Sequence, residues 1–145
     1  LQSSVFMEKS KASLRQRIET RIARKRNDAV FLTREFLDLG GEDQVIRALR
    51  QLVRGGRLVK LGYGVYGRAI ASSLTGRPIL YSTNGFDGAA REALTKLGVA
   101  WEPGRYERAY QEGRSNQIAS NTVLKVKGRF SRKLSFGNAE LIIEN

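Results

Sequence analysis

Apolar residues in the first half of the chain recur first at helical and then at strand spacing. Over Ser13 to Lys25 the stripe Leu14, Ile18, Ile22 and Ala23 predicts a helix, with Asn27 and Asp28 as its stop. Ala29 to Leu32 reads as a short extended piece. Thr33 suits the N-cap of a second, short helix that has Glu35 in its first turn, Phe36, Leu37 and Leu39 as apolar members, and Gly40-Gly41 as its breaker. A third helix is predicted over Glu42 to Arg54. Val45, Ile46, Leu49, Leu52 and Val53 fall on one of its faces. At 100° per residue the opposite face carries Gln44, Arg47, Gln51 and Arg54, with Asp43 and Arg50 on its edge. Gly55-Gly56 ends it. Two β-prone runs then flank the pair Gly62-Tyr63 and read as a tight hairpin. Helix, short strand, helix, turn, helix and hairpin, in that order, is the layout of a winged helix-turn-helix, here spanning residues 8–69.

Residues 70–145 read as a small α+β domain with an antiparallel sheet, so the fold class expected for the chain is α+β. The small and polar segment Ala69 to Arg77 is the expected connector. Pro78 to Ser82 predicts a strand. A helix is expected over Asp87 to Leu97, capped by Asp87 and stopped by Gly98, and another over Pro103 to Glu112. Thr122 to Val126, Arg129 to Phe136 and Leu141 to Glu144 read as strands, with Gly128 and Gly137-Asn138 at the turns between them.

Composition narrows the chemistry. Among 145 residues there is no cysteine and no histidine. Disulfides, thiolate nucleophiles, Cys-ligated metals and Ser-His-Asp triads are therefore excluded, and the commonest general base and metal ligand are missing. No cofactor is implied, and the chain reads as a non-enzyme. Glu140-Leu-Ile-Ile-Glu144 lacks the Glu-x-Lys of a metal-dependent nuclease strand. Gly62 to Gly67 lacks the Gly-Lys-Ser/Thr of a phosphate loop and does not lie between a strand and a helix. Apolar residues are 41% of the chain, and no run approaches the roughly 18 that a spanning helix needs. With no secretory pattern at the start, the expected setting is cytoplasmic and away from membranes. Leu1 to Phe6 precede Met7, the only methionine, which leaves open whether they are native.

Charge supplies the positive signal. Twenty-six Lys and Arg against fourteen Asp and Glu give +12, the balance of a protein that attracts polyanions, nucleic acid first among them. The plain alternative is a soluble protein that happens to be basic. Residues 1–69 hold fifteen basic and seven acidic side chains, and Lys9 to Arg26 alone holds eight basic and one acid, Glu19.

In a helix-turn-helix the second helix of the motif enters the major groove. Arg47 there can donate twice to guanine, while Gln44 and Gln51 can each pair with adenine. Arg50 and Arg54 suit phosphates. Thr33 and Arg34, at the start of the positioning helix, extend that set. The hairpin is the wing, with Lys60 and Tyr63 at its tip and Arg57 at its base, and Tyr66 reads as packing. Arg17, Arg21, Arg24 and Lys25 of the first helix either widen the phosphate footprint or keep the protein soluble. The ordinary alternative throughout is that a surface helix shows Arg and Gln to water. Glu42 and Asp43 suit the helix dipole but repel phosphate. A second basic patch, Lys125, Lys127, Arg129, Arg132 and Lys133, serves either nucleic acid or an acidic protein. Trp101, Tyr106 and Tyr110 read as core or interface.

Three stretches carry a resemblance: Val30-Phe-Leu-Thr-Arg-Glu-Phe-Leu-Asp-Leu-Gly, Arg47-Ala-Leu-Arg-Gln-Leu-Val-Arg-Gly-Gly-Arg-Leu, and Gly64-Val-Tyr-Gly. Together they resemble the N-terminal winged-helix domain of AbiEi-like (type IV toxin–antitoxin) antitoxins. The second half, ending Arg132-Lys-Leu-Ser-Phe-Gly-Asn, is similar to small proteins of that group. The resemblance implies a bacterial transcriptional autorepressor that binds inverted repeats in its operator as a monomer or homodimer. It also implies a cognate toxin protein as a partner, and DNA contacts at Gln44, Arg47, Gln51, Lys60 and Tyr63. Two other readings stand beside it: an RNA-binding module on the same basic surfaces, and a protein-interaction adaptor without DNA binding.

Overall fold

Helix α1 (Leu14–Arg24) is the first element of the structure, a computed structural model that describes residues 12–104 and 121–144. Ser13 starts the helix. Its hydroxyl accepts from the Gln16 backbone N–H at 3.1 Å, and the Gln16 side chain accepts from the Ser13 N–H at 2.9 Å. Two N–H groups that would otherwise lack partners at the helix start are satisfied in this way. Ile18 and Ile22 are buried, whereas Ala23, assigned to the apolar stripe, is exposed.

After strand β1 (Val30–Leu32) the expected second helix is a single 3-10 turn, Thr33–Phe36. Leu32, not Thr33, is its N-cap, and the Leu32 N–H donates to the Glu35 carboxylate at 2.7 Å. Thr33 instead donates its backbone N–H to the Gly64 carbonyl at 3.1 Å. Phe36 is fully buried and Leu37 turns outward, so the few residues before Gly40-Gly41 are used to reach α2 rather than to extend a helix.

Helix α2 (Glu42–Arg54) has the limits its apolar spacing predicts. Gly41 is its N-cap, with Glu42 and Asp43 in the first turn, where the helix dipole favours acids. Strands β2 (Leu58–Gly62) and β3 (Val65–Ala71) form the hairpin, with an irregularity in register between Lys60 and Gly62. Its turn is Tyr63-Gly64, one residue later than expected, because the positive φ of +69° falls on Gly64. β1 pairs antiparallel with β3 and β3 with β2, so β3 is central. β3 runs on through residue 70, and its far end pairs antiparallel with β4 (Pro78–Leu80). Part of the expected connector Ala69 to Arg77 is therefore strand.

Helix α3 (Gly85–Lys96) begins earlier than expected, with Asn84 as its N-cap. Asp87 lies inside its first turn, where it pairs with Arg91 at 2.9 Å and accepts from the Thr122 hydroxyl at 3.0 Å. The second sheet has the order β5-β6-β8-β7, from β5 (Trp101–Pro103), β6 (Thr122–Val126), β7 (Ser135–Phe136) and β8 (Ala139–Glu144). β7–β8 is antiparallel, as expected; β5, a strand the sequence pattern does not predict, pairs antiparallel with β6, and β6 and β8 pair in parallel. The strand expected over Arg129 to Phe136 shrinks to its last two residues, and Gly128 and Gly137 take positive φ at the turns. Of the helix expected over Pro103 to Glu112, Pro103 belongs to β5 and residues 105–112 lie outside the described residues. The fold is mixed α+β.

The first sheet is covered on both sides. Phe31, Leu58 and Tyr66 face α1 and α2 in a core with Ile18, Phe36, Val45, Leu49 and Leu52. Val30, Leu32, Val59, Leu61 and Val65 face the other way, into a core with Phe86, Ala89, Ala90 and Ala93 of α3 and with Leu134. Polar contacts reinforce this second layer. Glu92 accepts from the N–H groups of Ala29 and Val30, and the Lys96 ammonium reaches Asp28 at 2.9 Å, Glu35 at 3.0 Å and the Val30 carbonyl at 2.6 Å. The two halves thus share one core.

Candidate nucleic-acid interface

The outer face of α2 follows from its inner one. Burying Val45, Ala48, Leu49 and Leu52 against the sheet turns Glu42, Asp43, Gln44, Arg47, Arg50, Gln51 and Arg54 to solvent. Among them Asp43, Arg47, Arg50 and Arg54 recur at four, three and four residues, which makes one ridge along the helix. Arg47, Arg50 and Arg54 make no ion pair with any described residue. Gln44, Arg47 and Gln51 border a shallow groove against Ser13, Leu14 and Arg15 at the start of α1.

On the other side of the ridge stands the hairpin. Tyr63, in its turn, is 81% exposed. Lys60 is not at the tip. It sits back in β2 opposite Tyr66, on the sheet face that looks toward α2, and is exposed. Tyr66 is buried, as packing requires. Burial pushes its phenol above the ordinary tyrosine value, the Arg50 charge works against that shift, and Tyr63 adds to it. The phenol is therefore protonated at neutral pH and available as a donor.

Several expected contact residues are engaged within the chain. Arg34 donates to the Lys96 carbonyl at the end of α3. Arg57 lies 3.8 Å from Glu19, and Thr33 is tied to the hairpin through its backbone. The cations of α1 are largely internal ties as well. Arg17 donates to the Leu39 carbonyl, Arg21 makes a two-pronged pair with Asp38 at 2.6 and 2.8 Å, and Lys25 pairs with Glu35 at 3.0 Å. These contacts fasten α1 to the segment leading into α2.

The second basic patch divides. Lys125 has Glu102 and Glu144 as its cross-strand neighbours, so its charge is locally opposed. Lys127 and Arg129 are exposed beyond the end of β6. The Arg132–Lys133 segment instead lies against the hairpin, where a Cβ at Gly62 would fall 2.5 Å from the Lys133 carbonyl oxygen. Arg132 consequently joins Arg50, Lys60 and Tyr63 around an open cavity of about 240 Å³ between α2, the hairpin and the second half. Sequence spacing groups Arg132 with the rest of the patch, because the close approach of an irregular segment to a distant hairpin leaves no local signature.

Trp101 is a packing residue. Its Nε1–H donates to the Thr95 hydroxyl at 3.0 Å, and the Arg91 guanidinium stacks 4.9 Å from its ring centroid. Tyr106 and Tyr110 lie outside the described residues. Among the described residues no cluster of acids is arranged to hold a metal, and no helix is long and apolar enough to cross a membrane.

No protein-family model, no curated protein and no solved structure matches the chain.

Proposed function

We propose that the chain is a sequence-specific duplex-DNA-binding transcriptional regulator, an antitoxin-like autorepressor built on a winged helix-turn-helix. The order α1, β1, 3-10 turn, α2, β2, β3, with β1 and β2 both paired to β3, supports that motif. The observation that carries the reading is the ridge of Arg47, Arg50 and Arg54. It lies exposed, with no ion pair to any described residue, beside the hairpin's Lys60 and Tyr63. Cations needed for folding are held by carboxylates and carbonyls elsewhere, whereas these are left for a polyanion. In the proposed complex α2 enters the major groove. Arg47, Gln44 and Gln51 read base edges, while Arg50, Arg54 and Lys60 neutralise phosphates. The antitoxin part of the reading rests on the sequence resemblance and assigns the second half to a toxin partner.

The test compares two sets of substitutions on one duplex. Arg47, Arg50 and Arg54 changed together to Gln should abolish measurable binding at moderate salt. Lys127→Gln with Arg129→Gln should leave it nearly unchanged. The reverse ranking, especially with a preference for single-stranded or A-form RNA, would sink this proposal and favour an RNA-binding surface on the second half.

A further inference from the structure

The cavity between α2, the hairpin and the second half is more than a gap beside a basic surface. Four cations line it, Arg34, Arg50, Lys60 and Arg132, against one acid, Glu42. Its walls are partly apolar, through Leu37, Ile46 and Leu97. Tyr66, 3% exposed, is also on the lining, and its hydroxyl has no hydrogen-bond partner among the described residues. A buried hydroxyl without a partner carries a desolvation cost that a bound acceptor would relieve. A phosphate of the DNA backbone would need only the cations. The apolar walls and the buried phenol suit a ligand with an anionic group on an apolar body. A volume of about 240 Å³ is below the range of cavities that hold drug-sized molecules, which sets the scale of that body.

We infer that this cavity binds a small organic anion, a phosphate or carboxylate group on a compact apolar frame, with Tyr66 donating to the anionic group and Arg50, Lys60 and Arg132 surrounding it. Arg50 and Lys60 are also phosphate contacts in the proposed DNA complex, so the ligand and the duplex compete for them. The competition rests on the regulator reading; the binding site itself does not. Arg132 and Leu97 come from the second half, which makes that half a part of the sensor.

Isothermal titration of the full chain with phenyl phosphate, inorganic phosphate and benzyl alcohol tests the site. Phenyl phosphate should saturate one site per chain and bind at least tenfold more tightly than inorganic phosphate, with no uptake of benzyl alcohol. Tyr66→Phe and Arg132→Gln, both mild changes to the fold, should each weaken phenyl phosphate by about tenfold or more, as loss of one charge-assisted hydrogen bond does. Equal weak uptake of both phosphates, unmoved by either variant, would overturn the inference, as would the absence of saturation. A parallel DNA titration separates the two proposals. Specific duplex binding without phenyl phosphate binding removes the cavity ligand and keeps the regulator. Phenyl phosphate binding without duplex affinity does the opposite.

Discussion

At the scale of single residues, the chain divides its cations by what surrounds them. Arg68 shows the structural use. It donates to the Ile22 and Lys25 carbonyls at the end of α1, which also accept from the Lys25 and Asp28 backbone N–H groups, and to the Asp28 carbonyl, while lying 5.2 Å over the Phe31 ring. Arg47 has no such partner among the described residues, and its proposed role is base reading. Arg47→Ala should therefore cost about 1–3 kcal/mol on a specific duplex and relax the preference at one base position. Equal losses on specific and random DNA, measured by fluorescence anisotropy, would contradict that role. Lys60→Ala should instead weaken all duplexes alike and reduce the slope of log affinity against log salt by about 1. The exposed face of α2 was legible in the sequence because a strong apolar stripe fixes its opposite. The internal ties of Arg34 and Arg57 were not, because their partners, the Lys96 carbonyl and Glu19, are distant in the chain and give no periodic signal.

At the scale of elements, two junctions hold the interface in shape. One is the segment from β1 into the 3-10 turn. Burial disfavours the charged form of Glu35, but the Leu32 N–H and the ammonium groups of Lys96 and Lys25 outweigh it and hold its carboxyl below the ordinary glutamate range. A depressed folded-state value means that Glu35 stabilises the fold above its unfolded value and loses that contribution as pH falls through the folded one. Wild-type stability in urea should accordingly drop as pH falls below about 4. Glu35→Gln should be less stable at pH 7 by about 1–3 kcal/mol, because Lys96 loses a charged partner, and should show a flatter acid limb. Parallel acid limbs would show that Glu35 contributes nothing. The other junction is Gly62. Gly62→Ala must push the Lys133 backbone away from the hairpin, at a cost of about 1–3 kcal/mol; an unchanged denaturation midpoint would contradict the close approach.

Element legibility followed the same division. α1, α2 and β6 are close to their predicted limits because caps, glycines and long apolar patterns agree there. The 3-10 turn and the parallel β6–β8 pair were missed. One depends on Phe36 being drawn into the core, and the other on a crossover whose turn glycines, Gly128 and Gly137, do not distinguish a parallel from an antiparallel return.

At the scale of the molecule, composition pointed to a polyanion partner, but the division at residue 70 hid how closely the halves are joined. The inward faces of β1, β2 and β3 on the α3 side are buried by Phe86, Ala89, Ala90 and Ala93. Alternation of apolar residues on both faces of those short strands was the available sign that a second layer covers them. Urea unfolding followed by Trp101 fluorescence and by far-ultraviolet dichroism should give coincident transitions, and separate midpoints would indicate halves that fold alone.

The central claim is that this surface reads duplex sequence, and the most direct measurement is binding to a duplex from the chain's own upstream region against a scrambled duplex of equal length, at two salt concentrations. The expected result is a preference above about a thousandfold that persists at the higher salt. Equal binding to both duplexes, falling steeply with salt, would mean that the charge of +12 acts without readout and would contradict it.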